Sequence, residues 1–158
     1  MFTIDVKGVV SRVPFCRPGR DALPKSPKCC AAFDSARPAC FSWLGVTQYL
    51  THPAIDDTLR FVAALPAPST LVLTFIVPES VVPPEEHAAT HQLLEMAARV
   101  GEPFLTFFHP DELRARLHEL GFARVVHLTP TEANARYFAG RRDGLQARYL
   151  EHVMAATV

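Results

Sequence analysis

Two histidines give the sequence its first chemical signal. His87 and His91 are four residues apart, the spacing at which two imidazoles on one helix face ligate a metal. The H-E-x-x-H pattern is absent, however, and the sequence shows no evident third ligand. We therefore predict no metal site at this pair.

The cysteines are the second class of candidate ligand. All four lie in the first quarter of the chain, and no two of them form a C-x-x-C pair: Cys16, Cys29, Cys30 and Cys40. Because zinc and redox sites typically use such pairs, their absence argues against both kinds of site.

Charged and aromatic residues in the second half suggest a substrate pocket. Glu102 stands between Gly101 and Pro103 on a stretch that proline stiffens, and Phe107 with Phe108 could form an apolar wall beside it. A capped helix end followed by core phenylalanines explains the same residues. The adjacent arginines 141 and 142 suit an anionic group, although solvent-exposed arginines are more common.

Composition restricts the class of protein that these residues serve. The chain has 158 residues, 49% of them hydrophobic, which is enough for one globular domain with a core. Lysine plus arginine equals aspartate plus glutamate at 16 each, so no net charge favours nucleic acid or an anionic membrane. No apolar run approaches the ~20 residues that cross a bilayer, and no signal-peptide pattern opens the sequence. We expect a cytoplasmic protein with a small-molecule or protein partner.

The first 38 residues differ from the rest in pattern. Met1 to Val10 alternates between apolar and polar side chains, which predicts a short half-buried strand. From Ser11 to Pro38 five prolines and scattered basic residues interrupt any period, which predicts irregular chain. We therefore divide the sequence into an irregular segment, 1–38, and an ordered domain, 39–158.

Strand and helix patterns alternate through the ordered domain. Nearly continuous apolar runs predict buried strands at 39–46 and 71–77, and a further strand is predicted at 122–128. Helical spacing predicts helices from Thr51 to Pro66, from Glu85 to Gly101 and from Pro110 to Gly121, and Thr129–Glu132 has the spacing of a capping box. The second of these helices is expected to bury Leu93, Leu94, Met96, Ala97 and Val100. Such alternation predicts an α/β fold with a parallel sheet covered on both faces.

Four sequence blocks, in order, resemble a known family. They are FSWLGVTQYLT (41–51), GEPFLTFF (101–108), the helix that ends in LGF (120–122), and NARYFAGRRDGL (134–145). From about Phe33 onward the chain is similar to the C-terminal half of a class I S-adenosylmethionine-dependent methyltransferase, of the leucine carboxyl methyltransferase family.

The resemblance implies a partial Rossmann-like fold. The strands near Phe41, Leu71 and Phe122 would be the fourth, fifth and sixth of a seven-stranded, mostly parallel sheet with flanking helices. Periodicity leaves Arg148 to Val158 open between helix and strand. The family expects an antiparallel seventh strand there, which favours a strand at Tyr149 to Ala155.

The resemblance also implies site residues and a cofactor, S-adenosylmethionine. Trp43, Leu44 and Gly45 would border the cofactor, although the family often carries a glutamate at the position of Leu44. Tyr49 would face the reaction centre, where its hydroxyl could orient an oxygen of a small-molecule or peptide-carboxylate methyl acceptor. Substrate contacts would come from Glu102, Phe107, Arg136 and Tyr137.

The glycine-rich turn that grips the cofactor in such folds has no match in the sequence. None of the seven glycines forms a G-x-G pair. We expect a truncated methyltransferase whose activity alone is doubtful, with the strand near Phe41 as an exposed edge that promotes self-association. The alternatives are a non-enzymatic binding or dimerisation module, and half of an enzyme completed by a partner chain.

Overall fold

A computed structural model describes the backbone of residues 2–4, 10–12 and 33–158, and side chains from residue 33 onward. Phe2–Ile4 (β1) and Val10–Arg12 (β2) form an antiparallel pair. Strand β1 lies within the strand that the alternating pattern predicts at residues 1–10. Strand β2 extends to Ser11 and Arg12, where the pattern predicts irregular chain. Most of the segment predicted to be irregular lies outside the described residues, and the division at residue 38 stays a prediction.

The four remaining strands carry the core of a mixed sheet. They are β3 (Cys40–Trp43), β4 (Thr70–Ile76), β5 (Arg124–Leu128) and β6 (Glu151–Thr157). The order across the sheet is β2-β1-β3-β4-β6-β5. Strands β1, β3 and β4 run parallel to one another, and β6 is antiparallel to both β4 and β5. The α/β class and the antiparallel last strand, two predictions from the sequence, are confirmed.

One prediction about this sheet is wrong. The strand at Phe41 is not an exposed edge, because β1 pairs with it in parallel and places Phe2 opposite Phe41 and Thr3 opposite Ser42. Among the described strands the edges are β2 and β5. The apolar composition of β3 therefore reflects an interior position in the sheet.

Four α-helices connect the strands. They are α1 (His52–Ala63), α2 (His87–Arg99), α3 (Pro110–Glu119) and α4 (Pro130–Ala133). A π-helical turn, Asn134–Phe138, continues α4, and short 3-10 turns precede α1 and α2 at Thr47–Tyr49, Glu79–Val81 and Pro84–Glu86. Within the described part of the chain, no helix is long and apolar enough to cross a membrane.

Alternate residues of β3, β4 and β6 form one buried face of the sheet. Paired positions put Phe41 beside Leu71 and Trp43 beside Leu73, and all four side chains are fully buried. The same core includes apolar residues of α1 and α3, namely Ile55, Leu59, Val62, Leu113 and Leu117. These two amphipathic helices therefore bury their apolar stripes in the core that this face of the sheet forms.

Helix α2 departs from its predicted packing. Leu93, Met96 and Val100 were expected to be buried, but their side chains are 39%, 58% and 69% exposed. Thr90 and Ala97 are its buried residues. The periodicity therefore identifies an apolar stripe correctly, but nothing among the described residues covers that stripe.

Candidate functional site

The turn that follows β3 is held by one threonine of the neighbouring strand. Gly45 donates its backbone N–H to Oγ1 of Thr74 over 2.7 Å, and Oγ1 of Thr47 donates to the carbonyl of Thr74 over 2.9 Å. The two bonds fix the turn against β4 at the carboxyl end of parallel strands, where α/β sheets bind their ligands.

Gly45 is required in this turn by its backbone conformation. Its φ is +67°, a region that residues with a Cβ rarely adopt. A Cβ built there would meet no atom within 4 Å, so the space beside the glycine is open. The backbone at Gly45 is therefore accessible to a ligand.

The segment 101–108 docks against the same edge of the sheet. Leu105 donates its backbone N–H to the carbonyl of Gln48 over 2.7 Å, and Oγ1 of Thr106 donates to the carbonyl of Leu50 over 2.6 Å. Phe108 donates to the carbonyl of Ile76, at the end of β4, over 2.9 Å. These bonds hold the GEPFLTFF block beside the turn that contains Tyr49.

An open pocket of about 280 Å³ lies between the turn and this segment. It is lined by Tyr49, Gly101, Glu102, Pro103 and Leu105. The ring of Tyr49 meets that of Phe104 edge to face, with centroids 5.4 Å apart. The structure thus brings together Tyr49 and Glu102, two residues that the sequence analysis proposed separately. We call this site the Tyr49–Glu102 pocket.

The residues proposed to border the cofactor differ in exposure. Leu44 is 51% exposed, whereas the indole of Trp43 is fully buried and its Nε1 has no hydrogen-bond partner among the described residues. Gln48, which is 6% exposed, also has a buried atom without a partner, Oε1. Buried polar groups almost always have a partner, so two such atoms close to one turn are unusual.

Sequence reasoning missed Gln48. The one signal available was a polar amide inside an apolar run, at Val46-Thr47-Gln48-Tyr49.

The remaining substrate candidates do not line the pocket. Phe107 is half-buried and packs against the core. Arg136 lies 3.7 Å from Glu132 on the preceding helical turn, and Tyr137 is 64% exposed. Arg141, a further candidate for an anionic group, pairs with Asp143. The Asn134–Phe138 turn therefore does not supply a residue to the Tyr49–Glu102 pocket.

The two histidines of α2 share a carboxylate partner. Nδ1 of His87 and Nε2 of His91 lie 3.3 Å and 3.1 Å from the same oxygen of Glu79. Within residues 33–158 no group of three or more histidine, cysteine, aspartate or glutamate side chains is arranged to hold a metal ion. These contacts lower the pKa of Glu79, chiefly through its hydrogen bond with His91.

A second histidine pair, unpredicted from the sequence, lies in the sheet. Nε2 of His127 and Nδ1 of His152 are 2.9 Å apart, and the rings stack with centroids 5.1 Å apart. Phe75 packs against both rings. Burial lowers the pKa of His127 and lowers that of His152 to about 4.

Comparison with known proteins relates the chain to methyltransferases. It is 26% identical over 117 residues to the Bacillus subtilis protein named "Putative S-adenosyl-L-methionine-dependent methyltransferase YktD". The matched residues make up 73% of this chain and 38% of that protein, so the chain spans well under half of its relative. No family model matches the sequence.

Solved structures support the fold. A DUF574 family protein from Streptomyces avermitilis matches with a TM-score of 0.52 and 15% identity, over 84% of this chain and 48% of that chain. A "putative methyltransferase" from Thermobifida fusca matches with a TM-score of 0.51 and 19% identity over the same shares. The comparisons support a relationship to S-adenosylmethionine-dependent methyltransferases and a class I fold. Membership of the leucine carboxyl methyltransferase family stays a prediction.

Proposed function

We propose that this chain forms the acceptor side of a methyltransferase site that uses S-adenosylmethionine and methylates an oxygen atom, such as that of a carboxylate. The observation that carries the proposal is the position of two features at one edge of the sheet. The open turn at Gly45 and the Tyr49–Glu102 pocket are joined by the hydrogen bond from Leu105 to Gln48. Ligands of doubly wound sheets bind at this edge.

The turn fits part of the cofactor. The exposed side chain of Leu44 and the accessible backbone of Gly45 suit an apolar, planar group such as a purine. Nε1 of Trp43 and Oε1 of Gln48 are buried and lack a partner within the described part of the chain, so one donor and one acceptor are unsatisfied close to the same turn. A carboxylate for ribose hydroxyls is absent from Trp43-Leu44-Gly45, so we expect weak binding by this polypeptide alone.

The cofactor, when bound, supplies the methyl group. Transfer then depends on an aligned oxygen nucleophile and on the exclusion of water, because no acid or metal is needed at a sulfonium methyl. No described residue forms a hydrogen bond with the Tyr49 hydroxyl, which is therefore available to orient an acceptor oxygen. Pro103 and Leu105 form the apolar side of the pocket.

Calorimetry with S-adenosylmethionine tests the cofactor half of the proposal. We expect weak, saturable heat from the chain and its loss in Gly45→Val, because the side chain strains the positive-φ turn and occupies its open space. Gly140→Val, at another positive-φ glycine, is the matched control and should leave the heat unchanged. Absence of saturable heat from the unmodified chain would contradict the proposal.

Turnover tests the role of Tyr49. With a panel of small alcohols and carboxylates as acceptors, Tyr49→Phe should lower the rate of S-adenosylhomocysteine formation by about 100-fold for each acceptor that the unmodified chain methylates, and it should leave the heat of cofactor binding unchanged. An unaltered rate would exclude Tyr49 as the residue that orients the acceptor.

A non-enzymatic binding or dimerisation module is the second candidate function. The exposed apolar stripe of Leu93, Met96 and Val100 along α2 favours this function. The edge of β3 does not support it, because β1 pairs with that edge. Self-association through α2 predicts a dimer in sizing experiments that Met96→Lys converts to a monomer. A monomer at all concentrations would exclude this function.

A further inference from the structure

No charged residue in the described part of the chain compensates the charge of the Tyr49–Glu102 pocket. Glu102 is the one charged residue among the five described residues that line the pocket, and it is exposed to solvent. No ion pair involving Glu102 is present within the described chain. Several other carboxylates are engaged: Asp56 contacts Arg116, Asp143 contacts Arg141, and Glu132 accepts from Thr129. Among the residues that the structure describes, Glu102 therefore has no cationic partner, and its negative charge faces any ligand in the pocket.

The rest of the lining is aromatic and apolar. Tyr49 contributes its ring, and Pro103 with Leu105 contributes aliphatic surface. Aromatic rings attract cations through the negative potential of their faces, and this attraction is the usual basis for recognition of alkylated ammonium groups. A carboxylate beside such a ring adds attraction for the same charge.

We infer that the Tyr49–Glu102 pocket binds an alkylated ammonium group carried by the methyl acceptor. Its chemistry, one free carboxylate beside an aromatic ring and two aliphatic side chains, matches a cation that is also apolar. At about 280 Å³ the pocket is near the lower limit for ligand sites, so it suits a head group rather than a whole ligand.

The inference rests on the proposed function where it concerns the acceptor. It adds a substrate class: a molecule with both an oxygen nucleophile and an ammonium group, such as an N-alkylated amino acid or amino alcohol. Glu102 and the Tyr49 ring would hold the cation while the Tyr49 hydroxyl orients the oxygen. The backbone on either side of Tyr49 is held by hydrogen bonds to Leu105 and Thr106. The backbone of Glu102 is held by its N–H, which donates to the carbonyl of Ala97 over 2.9 Å.

Choline and its uncharged carbon isostere, 3,3-dimethyl-1-butanol, are matched probes for this pocket. Titration followed by NMR shifts of the Gly101 and Leu105 amides should show choline binding about fivefold more tightly than the isostere. Butyrate, a carboxylate of similar size, should bind more weakly than both, because Glu102 repels it. Equal binding of choline and its isostere, or preferential binding of butyrate, would overturn the inference.

Two substitutions separate charge from aromatic surface. Glu102→Gln should remove the preference for choline and leave the affinity for the isostere unchanged. Tyr49→Leu should weaken the binding of choline by about threefold. Glu112→Gln, at an exposed glutamate of α3, is the control and should change neither affinity. Retention of the full choline preference in Glu102→Gln would reject the pocket as its site.

The sulfonium of the cofactor is the other source of an alkylated cation. If the sulfonium occupied this pocket, Glu102→Gln would weaken the binding of S-adenosylmethionine more than the binding of S-adenosylhomocysteine, which lacks the sulfonium charge. We expect the substitution to change both affinities equally. A selective loss of S-adenosylmethionine would overturn the assignment to the acceptor. If the chain binds the cofactor but not choline, this inference alone is rejected. If the chain binds choline but gives no heat with the cofactor, the proposed function alone is rejected.

Discussion

At the scale of single residues, the hydrogen bonds of His152 fix the tautomers of the buried histidine pair. Nε2 of His152 lies 3.1 Å from the carbonyl of Tyr149, which can only accept, so this nitrogen carries a proton. Nδ1 of neutral His152 must then accept, and Nε2–H of His127 donates to it over 2.9 Å. Protonation of His152 at Nδ1 would place two N–H groups against each other unless His127 moved its own proton from Nε2 to Nδ1. The pair therefore tolerates a proton on His127 better than one on His152.

This arrangement predicts a loss of stability in acid. Burial, and next the charge of His127, lower the pKa of His152 from 6.5 to about 4, so the unfolded chain binds the proton more tightly than the folded chain. Stability is then complete above pH 6.5 and falls by up to about 3 kcal/mol as the pH drops towards 4. Urea unfolding between pH 7.5 and 4 measures this slope.

A glutamine at the same position removes the titration. His152→Gln should flatten the dependence of the unfolding free energy on pH in this window, whereas His109→Gln, at an exposed histidine, should keep it. The charges that act on neighbouring His127 come from Arg114 and Asp111 of α3 and from Glu132 of α4. A slope that His152→Gln leaves unchanged would assign the acid sensitivity to other groups.

The sequence predicted the types of the pocket residues but not the histidine pair. Tyr49 and Glu102 each stood out within a recognisable block. His127 and His152 are 25 residues apart and meet only because β5 and β6 pair in one particular register. Single-sequence patterns carry no information about that register, so the pair could not be predicted.

At the scale of elements, two threonines in similar positions differ in what they contribute. Thr129 forms the predicted capping box, with its Oγ1 accepting from the backbone N–H of Glu132 and its own N–H bound by the Glu132 carboxylate. Thr51 stands at the N-cap of α1, but its side chain makes no cap hydrogen bond.

These two caps form a matched experiment. Thr129→Ala should lower the free energy of unfolding by about 1 kcal/mol, because it leaves a helix N–H without an acceptor. Thr51→Ala should change it by only a few tenths of that value, since no cap bond is lost. Chemical denaturation measures the free energy of unfolding of both variants. Equal losses in the two variants would show that the side-chain cap of Thr129 does not stabilise the protein.

Element prediction succeeded where local chemistry decides the outcome. Helices α3 and α4 begin at Pro110 and Pro130, as predicted. The two apolar runs contain β3 and β4, and the predicted strand at 122–128 contains β5. The burial of α2 was wrong because periodicity shows which helix face is apolar and not whether another element covers it. For the same reason Leu93, Met96 and Val100 could not be predicted to be exposed.

At the scale of the whole molecule, β6 joins two parts of the sheet. Val153 lies opposite Thr74 of β4 on one side and Leu128 of β5 on the other. Among the described strands, β5 has no other neighbour. Attachment of β5, and of the histidine pair, therefore depends on β6.

A proline in β6 tests this dependence. Val153→Pro should prevent cooperative folding, because proline interferes with pairing in a strand that has neighbours on both sides. Val153→Ala keeps the backbone N–H and should remain folded with about 1 kcal/mol less stability. Circular dichroism melts compare the two variants; a cooperative melt for Val153→Pro would show that β6 is not essential to the sheet.

The position of β6 also determines how the chain must reach its native state. Thr70 and Thr157 are bonded through their hydroxyls although 87 positions separate them, and both neighbours of β6 precede it in the sequence. Long loops must close before the centre of the sheet exists, and such nonlocal pairing is slow compared with helix formation. Refolding kinetics should therefore be limited by the insertion of β6 between β4 and β5, with helical content regained no later than the sheet.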